Sequence, residues 1–187
     1  MSNTVNPNAK KKVLAISGST RLHSTNESIL KVISTLYSET LDVQIFAELA
    51  NLPHFNPDLD KENVPSPVVK FRNQIEQADG VIICTPEYVF SIPGALKNAL
   101  EWMVSTVLLS DKPAAFIVAS SAGEKAYESL LLIMNTLQVK MSINSTLLIQ
   151  GVRSKVNSQG EFLDNTARKE VETVMESFIE SMNKTKQ

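Results

Sequence analysis

Two stretches of this chain carry side chains whose types and spacing could do chemistry. The first is Gly18-Ser19-Thr20-Arg21-Leu22-His23-Ser24-Thr25-Asn26-Glu27. Ser19, Thr20, Ser24 and Thr25 offer hydroxyl donors, and Arg21 offers a planar fork that suits phosphate oxygens. A helix opening near Ser24 points free backbone N–H groups and a positive dipole end at the same place. Together these could hold a phosphate monoester. Ser24 and Glu27 also fit an S-x-x-E capping box, which needs no ligand and leaves Arg21, Ser19 and Asn26 unexplained. The stretch is neither a P-loop, which needs G-K-[ST], nor the G-x-G-x-x-G dinucleotide fingerprint, since Gly18 is its one glycine.

The second stretch runs from Thr85 to Trp102: Pro86-Glu87-Tyr88-Val89-Phe90-Ser91-Ile92-Pro93-Gly94, then Ala95-Leu96-Lys97-Asn98-Ala99-Leu100-Glu101. It follows Gly80-Val81-Ile82-Ile83-Cys84, whose β-branched content suits a buried strand. Pro86 and Pro93 forbid regular pairing, so the strand ends near Thr85 and a rigid loop with an exposed Tyr follows. Good helix formers resume after Gly94. Cys84 reads as a buried strand residue. A phosphatase-like C-x5-R arrangement fails because Phe90 stands where Arg is required. His23 and His54 are isolated and read as neither ligands nor catalysts.

The elements that position these stretches follow from periodicity. Val13 to Ile16, Asp42 to Phe46, Gly80 to Cys84, Pro113 to Ala119 and Thr146 to Ile149 read as strands. Ser24 to Tyr37, Val68 to Ala78, Ala95 to Leu109, Ala126 to Leu137 and Ala167 to Met182 read as helices. Val152 to Glu161 is polar and turn-like. Leu49 to Pro67, with four prolines, is long for a structureless connection, which makes it functional or mobile. Strands alternating with helices predict an α/β fold, a parallel sheet covered on both faces. Five strands suit the flavodoxin-like three-layer order 2-1-3-4-5, in which ligands sit beyond the carboxyl ends of the strands. The loops after strands one, three and four would then converge, the last carrying Ser120-Ser121-Ala122-Gly123.

The totals bound the reading. A chain of 187 residues, 43% apolar and 20% charged, fits one globular domain. We expect a frayed tail over residues 1–11 and a single domain over 12–187. A net charge of −2 argues against a nucleic-acid surface, and no apolar run is long enough to span a bilayer. One cysteine excludes a disulfide framework and most cysteine-based metal sites; we expect no metal and a cytoplasmic location. The fourth and third helices are apolar around more than one face, a surplus that burial in a homodimer, or a dimer of dimers, would hide.

Two motifs in this order resemble those of the NADPH-dependent FMN reductases, a family that includes quinone, azo-dye and chromate reductases on a flavodoxin-like fold. The family's G-S-x-R-x-x-S-x-N is matched by Gly18, Ser19, Arg21, Ser24 and Asn26. Its P-E-Y-N-x-S-x-P-G-x-L-K-N-x-[IL]-[DE]-W is matched by Pro86-Glu87-Tyr88, Ser91, Pro93-Gly94, Leu96-Lys97-Asn98 and Leu100-Glu101-Trp102. The resemblance implies that Ser19, Arg21, Ser24, Thr25 and Asn26 bind the phosphate of FMN. Pro86, Glu87, Tyr88, Val89 and Ser91 would line its ring through their backbone, with Ser121 and Gly123 facing it from the loop after strand four. NADPH or NADH would reduce the flavin at N5, and a small-molecule acceptor (quinone, free flavin, azo compound or metal oxyanion) would then take the same place, giving ping-pong kinetics without a catalytic side chain. The chain departs from the family in two places. Val89 replaces the usual Asn, and a single Gly123 stands where the family has a Gly-Gly pair. An FMN-binding electron carrier or sensor, and a degenerate module that has lost the flavin, are the rival readings.

Overall fold

The computed structural model describes residues 9–184. Five strands, β1 (Lys11–Ser17), β2 (Leu41–Phe46), β3 (Gly80–Thr85), β4 (Ala114–Ala119) and β5 (Thr146–Ile149), form one sheet in the order β2-β1-β3-β4-β5. Every neighbouring pair is parallel. Of the expected tail, residues 1–8 lie outside the described residues, and Lys11 already pairs with Leu41.

The central strands read as continuous apolar runs because both their faces are covered. All six residues of β3 and all six of β4 are buried. One face packs on α2 (Ser66–Gln77), α3 (Gly94–Glu101) and α4 (Glu124–Thr136), around Leu14, Ile16, Phe71, Ile83, Leu96, Trp102 and Phe116. The other packs on α1 (Thr25–Leu36) and on the long helix at residues Asn165–Lys184, around Ala15, Ile29, Ile33, Ile82, Ile117, Met175 and Phe178.

Two expectations need correction. The helix expected from Ala95 to Leu109 ends at Glu101, and a series of turns carries the chain from Trp102 to Leu109. Within the expected turn after β5, Val152–Lys155 forms one helical turn, α5, which makes the closing helix α6.

The stretch between β2 and α2 is tied down along its length. It contains 3-10 turns at Leu49–Asn51 and Pro57–Leu59. The Asn98 amide donates to the carbonyl of Pro53 at 3.0 Å and accepts from Phe55 N at 2.7 Å, while Trp102 Nε1 donates to Pro53 O at 2.8 Å. Phe55 stacks edge-on against Trp102. Arg72 of α2 pairs with Asp60 at 2.8 Å, a pair almost wholly shielded from water, and donates through Nε to Trp102 O at 3.1 Å. Asn98 and Trp102 of the second motif thus hold the connection rather than a ligand.

Candidate functional site

Gly18 ends β1 where no other residue fits. A Cβ there would stand 2.1 Å from Thr85 Oγ1, and Gly18 N donates to Cys84 O at 2.8 Å. The loop after β1 is thereby drawn against the end of β3 before α1 begins. Ser24 is the N-cap of α1 but makes no side-chain cap bond, so the expected capping box does not form. Glu27 pairs instead with Lys31, one turn on. Ser24 is only 3% exposed, and the first amides of α1 stay uncapped by any side chain. A helix start left without a side-chain cap keeps its first amides free to bond an anion.

Asn26 has a different position from its neighbours. Its Nδ2 donates to Ala119 O at 3.4 Å, and its Oδ1 accepts from the Cys84 thiol at 3.3 Å. The side chain ties α1 to the ends of β3 and β4. Burial alone pushes the Cys84 thiol far above its ordinary value, so it stays a neutral donor inside the core.

The loop after β3 folds back as a tight hairpin. Tyr88 N donates to Ser91 O at 2.9 Å and Ser91 N to Tyr88 O at 3.1 Å. Val89 and Phe90, between them, have φ of 50° and 56°. Two positive φ values in a two-residue loop define a type I′ turn, which favours Asn and Gly. Here both positions hold bulky residues, and Val89 is 94% exposed. The amides of Glu87 and Tyr88, expected to face a ligand, are engaged internally, Glu87 N with Ser120 Oγ at 3.3 Å. Those of Val89 and Phe90 have no hydrogen-bond partner among the described residues. Glu87 Oε2 accepts from Ala126 N at 3.0 Å, in the first turn of α4. That bond bolts the loop after β3 to the start of α4. Gly123 caps α4 with φ 104°, a conformation open to glycine, so the single glycine of this loop stands where the backbone needs it.

These loops enclose a cleft of about 180 Å³ at the carboxyl edge of the sheet. Ser19, Arg21, Ser24, Thr25, Asn26, Pro86, Glu87, Tyr88 and Ser121, all expected site residues, line it. Val89, Ser91 and Gly123 do not; they shape the two loops from behind. A wider cleft of about 410 Å³ shares Ser19 and Arg21 and extends toward Phe46 and Leu49. The sequence reading missed Ala119, Ser120, Val152 and Arg153. Ser120 stood unmarked beside Ser121. The signal for Arg153 was its place directly after the fifth strand, on the same edge. Among the described residues no group of His, Cys, Asp and Glu could hold a metal ion. Nor is any helix among them long and apolar enough to cross a membrane.

The sheet order, and a cleft built from the loops after β1, β3, β4 and β5, define a flavodoxin-like protein. A solved flavoenzyme, the NAD(P)H:(acceptor) oxidoreductase FerB of Paracoccus denitrificans, superposes with a TM-score of 0.76 at 27% identity, over 93% of this chain and 98% of that one. An NAD(P)H-dependent FMN reductase of Pseudomonas aeruginosa is 32% identical over 89% of this chain and 92% of its own. A quinone reductase of Escherichia coli K12 is 35% identical over 61% of this chain and 62% of its own. The sequence pattern of the NADPH-dependent FMN reductases matches residues 11–151. The chain belongs to that family and is an NAD(P)H-dependent oxidoreductase with FMN as its cofactor.

Proposed function

We propose that the cleft at the carboxyl edge holds FMN and that the protein passes two electrons from NAD(P)H to a small acceptor, a quinone or a flavin. The observation that carries this reading is the convergence of both motif stretches on one cleft whose helix start is buried and uncapped. The residues present fit the group: hydroxyls, free amides and guanidinium suit a phosphate monoester, and the stiff loop after β3 suits a flat ring.

In this reading Ser19, Ser24 and Thr25 bond the phosphate, Arg21 neutralises it, and Asn26 contributes its backbone N–H while its side chain holds the strands. Pro86, Tyr88 and Ser121 face the ring. Val89 and Phe90 supply the free amides of the turn, and Ser91 closes that turn. Glu87 keeps its carboxylate on α4 and so leaves the ring face uncharged. FMN, when bound, would supply the hydride and electron-pair transfer between NAD(P)H and the acceptor. The overall reaction is NAD(P)H + H⁺ + quinone giving NAD(P)⁺ + hydroquinone, with reductant and acceptor using the same face in turn. Initial rates of NADPH oxidation at varied quinone then give parallel double-reciprocal lines; intersecting lines would require both substrates to bind together.

The reading includes a homodimer, or a dimer of dimers, formed through α3 and α4. Most of the apolar residues on these elements are buried within one chain, among them Leu96, Leu100, Leu130 and Met134. An apolar groove remains, lined by Leu100, Val104, Leu132, Ile133 and Leu137, with Val107 exposed nearby. The supply of NAD(P)H inside cells makes the cytoplasm the place of action. Arg21 tests the phosphate end. Charge-assisted bonds contribute about 1.5–3 kcal/mol, so Arg21→Ala should weaken FMN binding roughly 10- to 100-fold. Riboflavin, which has no phosphate, should be nearly unaffected; fluorescence-quenching titrations with both flavins check this.

A further inference from the structure

The chain has four arginines. Arg72 pairs with Asp60 and Arg168 with Glu172. Arg21 and Arg153 have no acidic partner among the described residues, and both line the same cleft. The one carboxylate in the lining, Glu87, is committed to Ala126 N. Two guanidiniums with no counter-charge, facing one small cleft, repel each other unless an anion lies between them.

Arg153 is placed by a rigid frame. Gly151, at φ 60°, turns the chain out of β5, and its N–H donates to Ser121 O at 3.1 Å. Val152 N donates to Ser120 O at 3.1 Å, so the turn carrying Arg153 is fastened to the loop after β4. The segment beyond Arg153 is pressed onto the start of α1. Ser28 Oγ donates to Ser158 O at 3.0 Å, and a Cβ on Gly160 would stand 2.4 Å from Ser28 O. Asn26, in the same first turn, reaches to Ala119 O at the end of β4. The uncapped start of α1 is therefore flanked by the Arg21 loop on one side and the Arg153 turn on the other. Ser24, 3% exposed, lines the cleft beside them.

We propose that Arg153 is a second phosphate-binding residue, which with Arg21 forms a two-arginine clamp selecting a flavin that ends in a phosphate monoester. The clamp rests on the FMN reading given above. A monoester carries nearly two negative charges and three acceptor oxygens, enough to satisfy both guanidiniums and the amides of α1 at once. A flavin without phosphate leaves both arginines unpaired and gains nothing from either.

The test is titration of FMN and riboflavin into the full-length protein and into Arg153→Gln and Arg153→Lys, followed by flavin fluorescence, with thermal melts of each apoprotein. Arg153 is exposed, so the variants should melt with the wild type. The clamp predicts that Arg153→Gln loses FMN affinity about 10- to 100-fold, keeps riboflavin affinity within about twofold, and shows a weaker dependence of FMN binding on salt. Arg153→Lys should recover part of the loss. Unchanged FMN affinity in Arg153→Gln would overturn the proposal, and equal losses for both flavins would make Arg153 a structural residue. Should the wild type bind neither flavin, the FMN reading itself fails, a result separate from any behaviour of the variants.

Discussion

Val89 shows most clearly what a single residue costs this site. It occupies the first central position of the 88–91 turn at φ 50°, a left-handed conformation that a β-branched side chain resists. It is almost fully exposed, so no packing compensates. The sequence marks Val89 as a departure from the family's Asn. The structure locates the consequence in the backbone, because Asn tolerates the left-handed region and Val does not. Strain of this kind costs of order 1–3 kcal/mol and is found at functional sites. Val89→Asn should therefore stabilise the protein by about 1 kcal/mol, a rise in Tm of about 2–4 °C, while leaving FMN affinity within about twofold. A calorimetric scan of the apoprotein checks the first part and a flavin titration the second. Residue types also made Ser19, Arg21, Ser24 and Thr25, which line the cleft, legible as candidate site residues. They could not reveal the second task of Asn26 or Glu87, since each bonds to an atom far along the chain, Ala119 O and Ala126 N.

At the scale of elements, strands and helices could be read because their buried faces repeat at fixed spacing. The runs in β3 and β4 and the 3.6-residue pattern of α1 are local properties of the sequence. The connection between β2 and α2 was not legible for the opposite reason. Its three prolines and polar residues have no period, and its order comes from Asn98, Trp102 and Arg72, which belong to other elements. The same holds for the end of α3. Apolar residues continue to Leu109, yet the carbonyl of Trp102 is taken by Arg72 and the helix stops. Arg72 thus fastens the connection, α2 and the end of α3 together. Arg72→Ala leaves the shielded Asp60 carboxylate without its cationic partner and with only the Ser105 hydroxyl donating to it, at a cost of about 3 kcal/mol. Urea denaturation should show a midpoint lowered accordingly. Flavin affinity should change little, because this cluster lies on the α2–α3 side and lines neither cleft of the site.

At the scale of the whole molecule, the sheet brings the loops after β1, β3, β4 and β5 to one edge, and an apolar groove lies between α3 and α4, the face proposed for the dimer. Leu132, 69% exposed, stands on the wall of that groove. A charge there should oppose association without disturbing the core. Leu132→Glu is expected to sediment as a monomer where the wild type sediments as a dimer, with an unchanged far-UV spectrum. A wild type that is itself monomeric at working concentration would remove the dimer from the account.

The central claim is that this edge of the sheet holds FMN and cycles it between NAD(P)H and a quinone. The most direct test is the visible absorption spectrum of the purified protein after incubation with FMN and removal of the excess, recorded anaerobically. NADPH is then added, followed by benzoquinone. A bound-flavin spectrum that bleaches with NADPH and returns with the quinone is the predicted result. A protein that takes up no flavin, or one whose bound flavin NADPH leaves oxidised, would contradict it.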